Sequence, residues 1–171
     1  VRVARLEDEA RARDLFDRLS AESRYLRWAR SVGEPPTEWI AGLAHSDGVD
    51  DLVVVAFMSD EPSRLAGLAR YMRCADRPDG AEIEIVVADT HHRRGVGTAL
   101  MELIVDAARA AGFGVVVANV LAVNQGALAL VRRLDPQAAP RPDASTVEFT
   151  IDLLDRPPFR RAGLIARTRA A

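Results

Sequence analysis

The sequence predicts a single mixed α/β domain of the α+β type, its central sheet mainly antiparallel and flanked by helices. Three observations predict it. The 171 residues suit one domain large enough to bury a core without disulfide or metal staples. Apolar residues recur at helical spacing up to about residue 43, alternate or run together from residue 52, and return to helical spacing after residue 95. No internal repeat or linker interrupts this series, so residues 1–155 read as the domain and residues 156–171 as a peripheral tail.

The elements follow in order. Val1-Arg2-Val3-Ala4-Arg5 alternates and reads as a short strand. Ala10, Leu15, Phe16 and Leu19 keep helical spacing over residues 8–19. Ser20 suits the N-cap of a second helix over 21–29, with Tyr25, Leu26 and Trp28 as its bulky members. A Gly33-Glu34-Pro35-Pro36 turn precedes a short helix carrying Trp39, Ile40 and Leu43. Residues 52–58, 65–73 and 81–88 then read as three strands joined by short turns, an antiparallel meander. Val96, Leu100, Leu103, Ile104, Ala107 and Ala111 define a strongly amphipathic helix that Gly112 ends. A strand over 113–121, a helix over 124–134 and a strand over 146–153 complete the domain.

Composition narrows the function. A net charge of −2 gives no electrostatic reason to propose nucleic acid or an anionic membrane as partner. No apolar run approaches the ~20 residues of a membrane span, and no signal peptide opens the sequence, so the cytoplasm is the expected compartment. The sequence begins at Val1 rather than Met, which fits a processed chain or a piece of a longer one. Cys74 is alone, which rules out an intramolecular disulfide and a cysteine-rich metal site. His91 and His92 are adjacent and should diverge rather than chelate, His45 has no candidate partner, and no metal is expected. All 23 basic side chains are arginine.

The segment His92-Arg93-Arg94-Gly95-Val96-Gly97-Thr98 joins a strand to a helix. Gly95 and Gly97 remove Cβ atoms where backbone would approach a ligand, and free N–H groups at a helix start favour phosphate. Arg93 and Arg94 add charge. A tight turn needing glycine for sterics alone is the competing reading. A Walker loop fails for want of lysine, and a dinucleotide fingerprint fails because position 100 is Leu rather than Gly.

The remaining pattern, Gln/Arg-x-x-Gly-x-Gly/Ala, resembles the pyrophosphate loop of the GNAT superfamily of acyl-CoA-dependent N-acetyltransferases, with His92 at the position of the usual Gln or Arg. The resemblance spans roughly the whole fold and implies acetyl-CoA as co-substrate. It further implies that Ile85, Val86 and Val87 pair their backbone with the pantetheine arm, amides near Val86 and Val87 polarising the thioester carbonyl. Asn124-Gln125-Gly126-Ala127 matches the family's Asn-x-x-Ala, which implies that Asn124 contacts the cofactor arm; an ordinary N-cap is the other reading. The run from Arg18 to Trp28 is similar to one in bacterial Pat-type protein-lysine acetyltransferases, although the same stretch reads equally as an amphipathic helix that packs Tyr25 and Trp28 into the core.

An acceptor amine must lose a proton before it attacks a thioester. For a lysine of pKa ~10.4 this costs about 4.6 kcal/mol at pH 7, so a nearby carboxylate is expected. Glu82 and Glu84 project from one face of the strand that leads to the loop. Glu82 matches the general base of Pat-type enzymes, with Glu84 second; solvated edge-strand acids are the alternative for both. The family's usual Tyr proton donor falls at Val131, so either water supplies the proton or no acid is required, the CoA thiolate being a fair leaving group. A protein lysine is the leading acceptor and a small-molecule amine the next. A non-catalytic acyl-CoA sensor and an interaction module without CoA are the competing classes.

Overall fold

Chain order runs β1 (Arg2–Val3), a 3₁₀ turn (Leu6–Asp8), α1 (Glu9–Asp17), α2 (Ala21–Trp28), α3 (Thr37–His45), β2 (Asp51–Met58), β3 (Glu61–Arg73), β4 (Gly80–Val87), a second 3₁₀ turn (Asp89–His91), α4 (Val96–Ala110), β5 (Val115–Leu121), α5 (Gln125–Leu134), β6 (Pro140–Asp143) and β7 (Thr146–Asp152). This computed structural model describes residues 1–154 and 157–159, the side chains of residues 44 and 45 excepted. His45 as a side chain and most of the expected tail (residue 156 and residues 160–171) therefore lie outside the described residues.

The seven strands form one sheet in the order β1-β2-β3-β4-β5-β7-β6. Every pairing is antiparallel except β4 with β5. That parallel pair holds for only three steps, Gly80 to Val115, Ala81 to Val116 and Glu82 to Val117. Beyond Glu82 the strands part. The meander expected from the sequence is β2-β3-β4 with shifted ends: β3 begins at Glu61 rather than residue 65, next to register shifts on either side of Phe57.

Each sheet face carries its own core. Leu100, Ile104, Val105 and Ala108 of α4 are buried on one face against Val54, Ala69, Tyr71, Val116 and Ile151. On the other face, Ala12, Leu15 and Phe16 of α1 pack with Trp39, Ile40 and Leu43 of α3 against Val53, Val55, Leu68 and Val86. Trp28 sits between Phe16 and Trp39, with ring centroids 5.4 and 5.5 Å away. Tyr25 stays out: it is 46% exposed, so only the tryptophan of the two packs inward. On an eight-residue helix the two are three positions apart, and here just one meets the aromatic pair.

The helix starts differ in how they close. Ser20 caps α2 as its sequence suggests, its Oγ accepting from the Ser23 N–H at 3.1 Å. Asp8, fully buried ahead of α1, accepts from Arg2 at 2.6 and 2.9 Å, from the Arg5 N–H at 2.9 Å and from Arg11 at 2.9 Å. The sequence reading missed β6, whose Pro140 and Pro142 lie along the outer edge strand, paired with Phe149 and Val147. Among the described residues, no helix is long and apolar enough to cross a membrane.

Candidate active site

Where β4 and β5 part, a cleft of about 1030 Å³ opens. Residues 82–87 of β4 and 118–120 of β5 form its walls, the starts of α4 and α5 line one end, and Ser23, Leu26 and Arg27 of α2 line the other. Parallel strands that separate expose backbone groups which would otherwise pair. Register decides which ones. The Ala88 N–H donates to the Ala66 carbonyl at 2.9 Å, so the alternation of an antiparallel ladder also turns Val86 toward β3 and Ile85 and Val87 toward the cleft. The expectation that amides near both Val86 and Val87 would face a thioester is corrected: the Val86 N–H belongs to the ladder, while that of Val87 faces the cleft.

The loop after β4 is shaped by two left-handed residues, Arg93 at φ 57° and Gly95 at φ 83°. The α4 helix has no side-chain cap. Among the described residues, no acceptor takes the backbone N–H groups of residues 93–98; the His92 N–H goes to the Asp89 carbonyl at 3.2 Å. The His92 ring folds back so that Nε2 lies 3.0 Å from the Val87 carbonyl. The two glycines act differently from expectation. Gly95 is required by its positive φ, since a Cβ there would meet nothing within 4 Å. Gly97 lets α4 lie close to α5, because a Cβ would come within 3.2 Å of Leu130 Cδ1.

Side chains of the loop divide. Arg93 and Thr98 line the cleft. Arg94 instead turns toward Asp60, 3.9 Å away, and Val96 is buried in the core beneath α4. His91 is buried, with Nδ1 3.0 Å from Thr90 Oγ1, whereas His92 is half exposed, so the two rings do diverge. Asn124 lines the cleft and also caps α5, its Oδ1 accepting from the Ala127 N–H at 3.0 Å. Val131 lines the wall without a proton to give.

Glu82 stands at the point of divergence, and the Asn119 amide donates to its Oε1 at 3.1 Å. Glu84 differs. It forms an ion pair with Arg27 of α2, both side chains largely buried. The two carboxylates do share a strand face, but only Glu82 is without a cationic partner among the described residues. The Cys74 thiol is held in its protonated form more firmly than usual: burial pushes it up, and the charges of Glu82 and Asp76 push it further. Asp89, at the exit of β4, accepts from the Ser20 N–H at 2.9 Å and so ties the start of α2 to the loop. Burial alone would raise the Asp89 carboxyl, yet hydrogen bonds from Ser23 and Ser20 bring it below the ordinary range.

Arg27, Asn119 and Asp89 are the site residues that the sequence reading did not assign. Asn119 left a trace as the one polar residue in the strand Val115–Leu121. The Arg27–Glu84 contact left none, because it depends on α2 crossing β4.

This cleft has known relatives. The profile of the acetyltransferase (GNAT) family matches residues 12–135. The chain belongs to that family. It is 28% identical over 114 residues to the acetyltransferase PA5475 of Pseudomonas aeruginosa, a match covering 66% of this chain and 61% of that protein, so the chain spans about three fifths of its curated relative. Among solved structures it is similar to the GNAT domain of PAT from S. lividans, with 25% identity, a TM-score of 0.78 and 89% of each chain covered. A third, yncA of Salmonella typhimurium, solved with its cofactor acetyl-CoA, shares the fold with a TM-score of 0.70 at 18% identity, covering 93% of this chain and 96% of that one.

Proposed function

We propose that this protein is a cytoplasmic N-acetyltransferase that transfers acetyl from acetyl-CoA to a primary amine, with a protein lysine as acceptor and Glu82 as general base. The observation that carries the reading is Glu82 itself. It is a carboxylate without a cationic partner among the described residues, at the apex of the cleft and on the same strand as the open Val87 amide. The unpaired amides of residues 93–98 and the Arg93 guanidinium suit the pyrophosphate of the co-substrate, favoured further by the positive end of the α4 dipole.

In the reaction, Glu82 takes a proton from the acceptor ammonium, directly or through water. The freed nitrogen lone pair attacks the thioester carbonyl carbon, and negative charge on the carbonyl oxygen is stabilised by the Val87 N–H. The C–S bond then breaks. The electron pair leaves with sulfur, and the proton that the nitrogen sheds on becoming an amide passes through water to the CoA thiolate, whose thiol has a cysteine-like pKa of ~8.5. No tyrosine is needed for that step, which suits Val131. The acceptor reading draws on the 25% identical GNAT domain of S. lividans PAT and on the run from Arg18 to Trp28.

Glu82→Gln tests the base. Acetyl-CoA should raise the melting temperature of the variant as it does that of the wild type, while kcat falls by about 10²- to 10⁴-fold. Unchanged turnover would remove Glu82 from the mechanism. Incubation with labelled acetyl-CoA and a lysate, followed by mass spectrometry of the modified proteins, identifies the acceptor. The buried Val131 favours a second reading, an acyl-CoA sensor without turnover. A thermal shift with no acetyl transfer to protein or small amines would select it.

A further inference from the structure

The two glutamates of β4 are separated by their surroundings, and the separation extends beyond the strand. Arg70 of β3 pairs in register with Glu84 and holds Asp51 of β2 in an ion pair. The charges then run Asp51, Arg70, Glu84, Arg27 from strand to strand and into α2. This row is neutral in itself. Glu82 lies one pleat further along the same face, next to neutral Asn119. The Arg27 guanidinium also lies 5.3 Å over the Trp28 ring, while its Nε is buried without a partner among the described residues. Its position is set by packing and by Glu84.

We propose that Arg27 is a positioning residue: by holding Glu84 in an ion pair it cancels the charge beside Glu82, so that the Glu82 carboxylate stays ionised to lower pH. The proposal deepens the reading of Glu82 as general base and rests on it. The physical reason is Coulombic. Alternate residues on a strand face lie about 7 Å apart. An uncompensated Glu84 at that distance would hold protons on Glu82 and raise its titration midpoint. Other titratable groups lie around this end of β4. Cys74, just past β3, feels the Glu82 charge, Asp76 and Arg77 come from the β3–β4 turn, and Glu148 sits on β7 opposite Asn119. Glu148 is answered by Arg141 at 3.8 Å, and none of these residues touches Arg27 or Glu84.

Carbon-13 titration of the Glu82 carboxyl tests this directly, with the signal assigned by its loss in Glu82→Gln. In Arg27→Gln the midpoint should rise by about half to one pH unit, and in Glu84→Gln it should fall by a similar amount. In the double variant it should return to within about 0.2 pH unit of wild type. The acid limb of kcat/KM should move in the same directions. A purely structural role for Arg27 would not move the midpoint in opposite senses. Immobility in either single variant, or movement of both in one direction, would overturn the proposal. If Arg27→Gln fails to fold by circular dichroism, Glu84→Gln alone decides: a fall supports the proposal and no change sinks it. Because the titration needs no turnover, this outcome is separate from that of Glu82→Gln, whose retained activity would remove the base reading while leaving the charge pattern intact.

Discussion

Helices α1 and α4 begin in different electrostatic surroundings. Before α1, Asp8 is wholly buried and its two oxygens accept from two arginines and a backbone N–H. The chain provides its own negative charge at that helix start. Neither helix has a side-chain cap, but no buried carboxylate precedes α4, and the amides of residues 93–98 have no acceptor among the described residues. The buried charge at residue 8 has no counterpart at the start of α4, which opens beside the cleft. The phosphates of the proposed co-substrate would supply to α4 the charge that Asp8 supplies to α1.

Three perturbations would break or sharpen this contrast. The largest effect is expected at Asp8. Its carboxyl is pushed up by burial, but hydrogen bonds from Arg2 and the Arg5 N–H outweigh that and hold it below the ordinary Asp value. A depressed folded pKa adds stability that is fully present above the unfolded value of about 3.9 and is lost as pH falls through the folded value. Asp8→Asn should therefore cost about 2–3 kcal/mol at pH 7, less than for a fully buried pair because both arginines are partly exposed, and should flatten the acid limb of stability below about pH 4. Urea melts from pH 2.5 to 7 check both, and acetyl-CoA should stabilise the variant as much as the wild type. Equal acid sensitivity in both proteins would show that Asp8 is not the source of the acid limb.

Next comes Gly97→Val. Its side chain would press on Leu130 and push the first turn of α4 off α5, at a cost of about 1–3 kcal/mol. Unlike Asp8→Asn, it should also abolish most of the thermal shift from acetyl-CoA. A variant that loses stability but keeps the full shift would place the ligand elsewhere.

The smallest effects separate two roles of Asn124. Asn124→Ala removes the cap of α5 and should cost about 1 kcal/mol. Asn124→Asp keeps the oxygen that accepts from Ala127 and loses the Nδ2 donor, so stability should hold within a few tenths of a kcal/mol. Calorimetric titration then reads the second role: weaker acetyl-CoA binding by Asn124→Asp assigns the donor to the ligand, and unchanged binding leaves Asn124 as a cap alone.

Local chemistry was legible in the sequence and crossings were not. Ser20 announced its cap, and the apolar stripe of α4 and the runs of β2, β4 and β5 gave the core strands and helix to within a few residues. β6 was hidden because a Pro-Arg-Pro-Asp segment has no strand propensity and pairs only because a tight turn folds it back on β7. In the site, the glycine loop could be read from spacing. The roles of its members could not: Arg94 meets Asp60 and Gly97 meets Leu130 only through tertiary packing. The same holds for the division between Glu82 and Glu84. Their identical spacing on one strand carries no hint that a helix arginine reaches one and an amide the other.

The prolines of β6 have an effect outside the cleft. The two-residue turn makes Asp143 and Thr146 the closing pair, so residues 140 and 142 direct their backbone nitrogens away from β7. At both positions that nitrogen is an imide without hydrogen. A stray extended segment drawing alongside would find no donors there, and lateral stacking of sheets into fibrils is discouraged at this border by the covalent structure of two residues.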